Sequence, residues 1–177
     1  MAGKKGCQAP TGQPMVPDTL LYFWRLQMGY IEDLRKIIGN RPLILVGAMV
    51  AVIDEQGKIL LQKRPEGVWV LPGGLLELGE SVEEAGRREV FEETGVEIGQ
   101  LQLVEVFSGK QYFRKLANGD EFYPVTIAYI SKDIKSRTIQ IDGKETIDAG
   151  FFPINELPEH TSPLVNKLIQ RFANMMV

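Results

Sequence analysis

The sequence is poor in cysteine and histidine, with one residue of each, Cys7 and His160, in a chain of 177 residues. A single cysteine excludes a disulfide bond within the chain and is typical of a reducing compartment. His160 lies in a Leu-Pro-Glu-His turn ahead of a predicted helix, so we expect it at the surface rather than in catalysis.

Long apolar runs are missing as well. No stretch approaches the roughly 20 apolar residues that are required to span a bilayer, and the first residues lack the apolar core of a secretion signal. We therefore expect a cytoplasmic protein that has no membrane partner.

The chain has no excess of positive charge: 20 Lys and Arg residues against 23 Asp and Glu residues give a net charge of -3. This balance argues against an extended nucleic-acid footprint, although a local basic strip for a polyphosphate stays open. The hydrophobic fraction of 44% and the charged fraction of 24% are those of an ordinary globular protein. The length suits one domain with its own core.

The first 40 residues divide into two parts. Residues 1–17 are rich in glycine, proline and small polar residues, which predicts a flexible tail. Residues 18–40 predict an amphipathic helix that is capped by Asp18 and ended by Gly39. Its apolar stripe consists of Leu21, Trp24, Met28, Ile31, Leu34 and Ile38. Two alternatives cover this stripe: packing against the chain's own sheet, or docking across a homodimer, because symmetric dimers are common.

Apolar, β-branched runs predict strands at residues 43–53, 58–62, 68–71, 101–107 and 122–130. The break Asp54-Glu55-Gln56-Gly57 predicts a turn, so we expect residues 43–62 to form a hairpin. Pro124 lacks a backbone N–H, which predicts that its strand begins late or lies at a sheet edge. A last helix is expected after Ser162-Pro163.

Three carboxylates crowd into about one turn of a helix predicted at residues 82–94: Glu89, Glu92 and Glu93. Like charges at this spacing repel by about 0.2–0.5 kcal/mol per pair, so a positive group should compensate them. At roughly 100° per residue, the three side chains fall within an arc of about 100°. Carboxylates on one arc predict a site for a hard divalent cation such as Mg2+. The alternative is a solvated helix face with ordinary salt bridges.

The acidic stretch has a fixed register: Gly74, five residues, Glu80, seven residues, and then Arg88-Glu89-Val90-Phe91-Glu92-Glu93-Thr94-Gly95-Val96. This register, preceded by Trp69-Val70-Leu71-Pro72-Gly73, resembles the signature of the Nudix hydrolases at every specified position. The resemblance implies a Nudix domain over residues 41–177. It also implies the fold, an α/β/α sandwich with a mixed β-sheet between helices.

The resemblance assigns roles to individual residues. The backbone carbonyl of Gly74 would join the three glutamates around Mg2+, with Mn2+ as an alternative ion. Arg88 would orient these glutamates by pairing with Glu80 or Glu92, because a planar guanidinium holds a carboxylate in a bidentate geometry that lysine does not reproduce. In the sequence alone, Ser81 and Glu84 predict a capping box.

The activity implied by the resemblance is hydrolysis of a phosphoanhydride bond in a nucleoside diphosphate linked to another moiety. Anionic oxygens surround the phosphorus centre, so the reaction requires cations and a positioned, activated water. Glu89, or an acid from a late loop, with Glu145 first and Asp148 second, would accept the proton of that water. The alternative is a non-catalytic module that keeps the fold and senses a nucleotide.

Candidate substrate contacts lie in two places. Arg64, after Lys63, ends a predicted strand, where it would meet a phosphate or remain a solvated charge. Lys110 and Tyr112 belong to a stretch of cations and aromatic rings that suits a nucleotide or an ordinary hairpin. The expected ligand is a nucleoside triphosphate, a dinucleoside polyphosphate or a nucleotide sugar. ADP-ribose is less favoured, because Gln111 and its neighbours include no proline at the position that marks many ADP-ribose hydrolases.

Overall fold

A computed structural model describes residues 30–173. Its helices are α1 (Tyr30–Ile38), α2 (Val82–Thr94) and α3 (Pro163–Ala173). Its strands are β1 (Leu43–Val52), β2 (Lys58–Lys63), β3 (Trp69–Val70), β4 (Gly73–Leu75), β5 (Glu97–Ile98), β6 (Gln102–Phe107), β7 (Arg114–Lys115), β8 (Glu121–Ser131), β9 (Ile134–Ser136) and β10 (Asp148–Pro153). The predicted tail at 1–17 and the predicted helical residues 18–29 lie outside the described residues.

The largest sheet is mixed. Its strands lie in the order β4-β1-β8-β6, and the short β7 also pairs with β8. β1 and β8 run parallel from Leu43 opposite Phe122 to Val52 opposite Ser131, whereas β4 and β6 are antiparallel to their neighbours. Parallel strands usually have both faces covered, and residues 47–52 of β1 are all buried. This end of the sheet therefore lies inside a layered fold.

The expected hairpin between the first two strands is wrong in its pairing. Both strands form, but β2 belongs to a separate antiparallel sheet with the order β10-β2-β3. β1 and β2 meet at an isolated bridge between Ile53 and Ile59. The reason is that β8 pairs along the whole of β1 and β4 pairs with Gly47–Met49 on its other edge, which leaves β2 only the end of β1 at Ile53.

The prediction from Pro124 is wrong for the strand as a whole and right only at the proline itself. β8 begins at Glu121 and lies between β1 and β6 in the sheet. Pro124 is tolerated there because the opposite edge of β8 is interrupted: β7 pairs with it as far as Phe122, and β6 begins its pairing at Thr126. The gap between these two partners accommodates a residue that has no N–H.

Two hydrophobic cores cover the two faces of the large sheet. On one face, α3 contributes Val165, Leu168 and Phe172 to a core that also contains residues of β1 and β2. On the other face, Val90 of α2 packs with Val50 and other residues of β1 and β2. A sheet between helices is the α/β/α sandwich that the sequence predicted, and that prediction is confirmed.

The described part of the N-terminal helix packs on its own chain. Ile31 contacts the small core formed by Leu45, Leu75 and Phe122. Arg35 then fixes the end of α1, because its guanidinium donates to the carbonyl oxygens of Gly39 at 3.0 Å, Arg41 at 2.7 Å and Glu121 at 2.9 Å. For residues 30–38, packing within the chain is therefore the arrangement that the structure adopts.

The helices between residues 30 and 173 have 9, 13 and 11 residues. None of them is both long enough and apolar enough to cross a membrane.

Candidate active site

The acidic helix α2 is fixed at both ends by its own sequence. Ser81 Oγ accepts a hydrogen bond from the backbone N–H of Glu84 at 3.2 Å, and the Glu84 carboxylate accepts one from the N–H of Ser81 at 2.8 Å. At the other end Gly95 adopts a φ of 74°, and its N–H donates to the carbonyl of Phe91. These caps satisfy backbone groups that a helix end leaves without partners. The predicted helix and capping box are confirmed.

Gly74 lets α2 lie close to the sheet. It pairs with Ala48 in the antiparallel contact of β4 with β1. A Cβ at residue 74 would lie 2.5 Å from Cδ and 2.8 Å from Oε2 of Glu89, which is closer than carbon and carboxylate atoms approach one another. The carboxylate of Glu89 thus takes the space that any other side chain at residue 74 would fill.

Arg88 joins the acids of the signature to one another. Its guanidinium donates to both carboxylate oxygens of Glu80, at 2.8 and 2.9 Å, and to the carbonyl of Leu75 at 3.0 Å. Its Nη1 donates to Glu89 at 2.8 Å and to Glu92 at 3.0 Å. The sequence left the partner of Arg88 open between Glu80 and Glu92, and the structure pairs it with both. A planar group with several donors is required for this arrangement.

The environment of these acids differs from one to the next. Hydrogen bonds from Arg88 hold the pKa of Glu80 below its usual value, although burial opposes this effect. Burial raises the pKa of Glu89, with Arg88 opposing the rise and Glu92 adding to it. The side chain of Glu92 is 56% exposed, so a ligand can reach it from solvent.

Glu93 points away from this exposed side, toward β2. It is 6% exposed, and its carboxylate accepts hydrogen bonds from Arg64, from Gln62 and from the backbone N–H of Gly73, the last at 2.8 Å. Burial raises the pKa of Glu93, and the positive charge of Arg64 opposes the rise. Arg64 is 3% exposed, so the alternative of a solvated strand-end charge is wrong. The contact of Arg64 with a substrate phosphate stays a prediction.

Glu145 lies in the loop between β9 and β10, and this loop reaches the site. The carboxylate of Asp142 accepts hydrogen bonds from the backbone N–H groups of Glu145 at 3.0 Å and Thr146 at 3.1 Å. Burial raises the pKa of Glu145, as do the charges of Asp142 and Glu92, while Arg64 lowers it. Glu145 is therefore within electrostatic range of both an acid of α2 and the buried arginine.

The second late acid has a different place. Asp148 is exposed at the start of β10, opposite Lys63 of β2. Asp148 thus begins a strand, whereas Glu145 lies in the loop whose next residue, Thr146, is hydrogen-bonded to Gln62.

The two remaining substrate candidates lie on the other side of the sheet. Lys110 and Tyr112 belong to a short 3-10 helix after β6. The ring of Tyr112 packs edge-on against Phe107 at 6.0 Å between centroids, and Lys167 of α3 lies 5.7 Å from its centre. Phe107 belongs to the core that α3 covers. Tyr112 is thus attached to the α3 face, and its role in binding substrate stays a prediction.

Sequence reasoning missed Gln62 and Thr146, which are both fully buried. Gln62 donates to Glu93 and accepts a hydrogen bond from the hydroxyl of Thr146. A polar residue within the apolar strand Lys58–Lys63 was a signal for Gln62, because a buried amide requires partners. Thr146 gave no local signal, since its partner is 84 positions away in the sequence.

The donor atoms around Gly74 fit a divalent ion only in part as predicted. Glu89 and Glu92 meet at one nitrogen of Arg88, next to the strand that carries Gly74. The carboxylate of Glu93 is occupied by Arg64, Gln62 and the N–H of Gly73. Over residues 30–173 no group of three or more acids, histidines or cysteines is arranged to hold a metal ion. Two carboxylates and a backbone carbonyl are nevertheless hard oxygen donors of the kind that Mg2+ uses together with water and phosphate. The residues present therefore fit Mg2+, with Glu89 and Glu92 as the acids at hand.

The profile of the NUDIX domain matches residues 44–172 of the sequence. This chain belongs to the Nudix hydrolase family.

Curated relatives match over part of their length. The chain is 34% identical to an ADP-ribose pyrophosphatase of Methanocaldococcus jannaschii over 116 residues, which are 63% of this chain and 64% of that protein. It is 54% identical to a putative 8-oxo-dGTP diphosphatase of Bacillus subtilis over 67 residues, which are 37% of this chain and 45% of that protein. The chain thus spans less than two thirds of the length of either relative.

Solved structures extend the likeness to the fold. The MutT NUDIX hydrolase of Burkholderia pseudomallei has a TM-score of 0.61 and 28% sequence identity to this chain. The similarity covers 73% of this chain and 98% of the other. Almost the whole of that enzyme is therefore matched by part of this chain.

Proposed function

We propose that this protein hydrolyses a phosphoanhydride bond in a nucleoside diphosphate linked to another moiety, with Mg2+ as its ion and Mn2+ as a substitute. The observation that carries the proposal is the contact of one guanidinium, that of Arg88, with three carboxylates beside Gly74: Glu80, Glu89 and Glu92. An ordinary surface helix does not require a buried glycine contact together with a shared arginine.

The chain's own residues have separate tasks in this reaction. Glu89, Glu92 and the carbonyl of Gly74 would hold the ion. When bound, the ion neutralises charge on the phosphates and lowers the pKa of water. Arg88 keeps Glu89 and Glu92 in place through its fixed set of donors.

Glu145 or Glu89 accepts the proton of the attacking water. A carboxylate with an ordinary pKa near 4 is a weak base at neutral pH. Burial raises the pKa of Glu145 above its usual value, which makes it a better base. Glu145 comes from the connection between β9 and β10 rather than from α2, so it would approach the substrate from a different element of the fold.

Two substrate classes are favoured by the relatives. One relative is named an ADP-ribose pyrophosphatase and another a putative 8-oxo-dGTP diphosphatase. We therefore place ADP-ribose and nucleoside triphosphates ahead of dinucleoside polyphosphates and nucleotide sugars. ADP-ribose therefore ranks higher here than it does from the sequence alone, where the absence of a proline near Gln111 disfavours it.

The test is product release from a panel of these four substrate classes, with Mg2+, with Mn2+ and with a chelator. The proposal predicts ion-dependent cleavage of one class well above the others, and the products identify the bond. If the protein binds members of the panel and cleaves none with either ion, the non-catalytic sensing module replaces the hydrolase.

A further inference from the structure

A buried chain of polar side chains connects the loop of Glu145 to helix α2. The hydroxyl of Thr146 donates to Oε1 of Gln62, and Nε2 of Gln62 donates to Oε2 of Glu93. Thr146 and Gln62 are 0% exposed and Glu93 is 6% exposed. Water does not reach these groups, so each depends on the next for its hydrogen bond.

The direction of the chain follows from the chemistry of its ends. The carboxylate of Glu93 also accepts hydrogen bonds from Arg64 and from the N–H of Gly73, so it acts as an acceptor and the amide nitrogen of Gln62 faces it. The amide oxygen then faces the loop and requires a donor there, which the hydroxyl of Thr146 supplies. Valine at residue 146 has nearly the same shape but no donor, whereas serine keeps the donor.

The loop meets strand β2 at the same point. The N–H of Ile147 donates to the carbonyl of Lys63 at 2.9 Å, and the N–H of Gly143 donates to the carbonyl of Thr146 at 3.1 Å. Glu145 directly precedes this attachment, and its charge interacts with Glu92. Two contacts thus place Glu145 relative to α2: its own N–H donates to Asp142, and its neighbour Thr146 is attached to Gln62.

We propose that Gln62 and Thr146 are positioning residues, which hold Glu145 at a fixed place opposite the acids of α2. This inference rests on the proposed hydrolase function, and it adds two residues that act through Glu145 rather than on the substrate. Small displacements of a catalytic group reduce turnover more than binding, because the group acts mainly in the transition state.

The test compares Thr146→Val, Thr146→Ser and Glu145→Gln with the double variant Thr146→Val/Glu145→Gln, at saturating Mg2+. Thr146→Val should lower kcat roughly tenfold with KM changed less than about twofold, the size expected when one positioning hydrogen bond is lost. Thr146→Ser should restore most of kcat. In the Glu145→Gln background, Thr146→Val should have no further effect, because its target has already been removed.

A second readout uses no substrate and no ion. Amide hydrogen exchange of residues 142–147 should be faster in Thr146→Val than in the wild type and normal in Thr146→Ser. Ser131→Ala is the matched control: Ser131 is also buried, at 1% exposure, and its hydroxyl donates to the carbonyl of Gln100 at 2.8 Å. This control should leave kcat and the exchange of the loop unchanged.

Three results overturn the inference: an equal loss of kcat in both backgrounds, wild-type turnover in Glu145→Gln, or unchanged exchange of the loop in Thr146→Val. If the protein cleaves no substrate, that result contradicts the proposed hydrolase function instead. In that case the exchange experiment still shows whether the hydrogen bond from Thr146 to Gln62 holds the loop. A failure of the proposed function is therefore distinguished from a failure of this inference.

Discussion

The carboxylate of Glu89 lies directly against Gly74, where a Cβ on residue 74 would come within 2.5 Å of its Cδ. Strand β4 and helix α2 therefore lie this close because residue 74 has no side chain, and the carboxylate of Glu89 fills the space beside it. Because Arg88 also contacts Glu89 at 2.8 Å, the acid is held from two sides.

Gly74→Ala should displace Glu89 and reduce kcat/KM by about 100-fold, the loss expected from misplacing a reacting group by about 1 Å. Overpacking should also lower the free energy of unfolding by about 1–3 kcal/mol. Steady-state kinetics and urea denaturation measure the two effects. Gly150→Ala is the control, because a Cβ at residue 150 would meet Phe152 at an ordinary contact distance of 3.4 Å. Equal kcat/KM in Gly74→Ala and Gly150→Ala would show that a side chain at residue 74 does not displace Glu89.

Arg88→Lys should reduce kcat by about 10- to 100-fold, the range for residues that orient metal ligands. Lysine keeps the charge but cannot donate to both oxygens of Glu80 while also reaching Glu89 and Glu92. Arg87→Lys makes the same change one residue earlier in α2 and should keep the wild-type rate. A wild-type rate for Arg88→Lys would show that charge alone suffices.

The lowered pKa of Asp54 makes the free energy of unfolding depend on pH. Burial tends to raise the pKa of its carboxyl, but the N–H groups of Lys58 and Gln56 and the guanidinium of Arg137 outweigh burial and lower the pKa overall. A lowered pKa in the folded state gives stability that is present above the unfolded pKa of about 3.9 and is lost as pH falls through the folded pKa.

Asp54→Asn should therefore be less stable than the wild type near neutral pH, with a difference that shrinks below about pH 4. Urea denaturation between pH 2 and 7 measures the two curves. A difference that stays constant across this range would show that the charge of Asp54 contributes nothing.

Arg35 attaches helix α1 to the rest of the fold. Arg35→Ala removes donors to three carbonyl oxygens and a contact with Asp120 at 3.4 Å, so α1 should detach before the rest of the fold. Limited proteolysis should then cut residues 30–42 sooner. Lys36→Ala is the control, because Lys36 and Asp33 form an exposed ion pair that contributes little. The same cleavage rate in both variants would show that α1 is held by other contacts.

Local features of the site could be predicted from the sequence because they depend on neighbours in the chain. Ser81, Glu84 and Gly95 act within one helical turn of each helix end, and the structure has the caps that they predict. The sequence limits the partners of Arg88 to Glu80 and Glu92, which both lie within eight residues of it. Arg88 contacts both in the structure.

Contacts between distant segments could not be predicted in the same way. Glu93 faces β2 rather than the exposed side of α2, because Arg64 and Gln62 are brought to it by the packing of two sheets. The helical periodicity gives the spread of the three acids, an arc of about 100°, but not which edge of that arc is buried. For the same reason β2 was assigned to the wrong partner, since the edges of β1 are taken by strands that come later in the chain.

The central claim is that the acids on α2 support ion-dependent hydrolysis, and the most direct measurement is the initial rate of Glu92→Gln with the best substrate of the panel. The account predicts a fall of about 100-fold or more, about 2.7 kcal/mol of transition-state stabilisation, in a protein with unchanged melting temperature. Glu97→Gln, an exposed glutamate on β5, should keep the wild-type rate. A wild-type rate for Glu92→Gln would contradict the account.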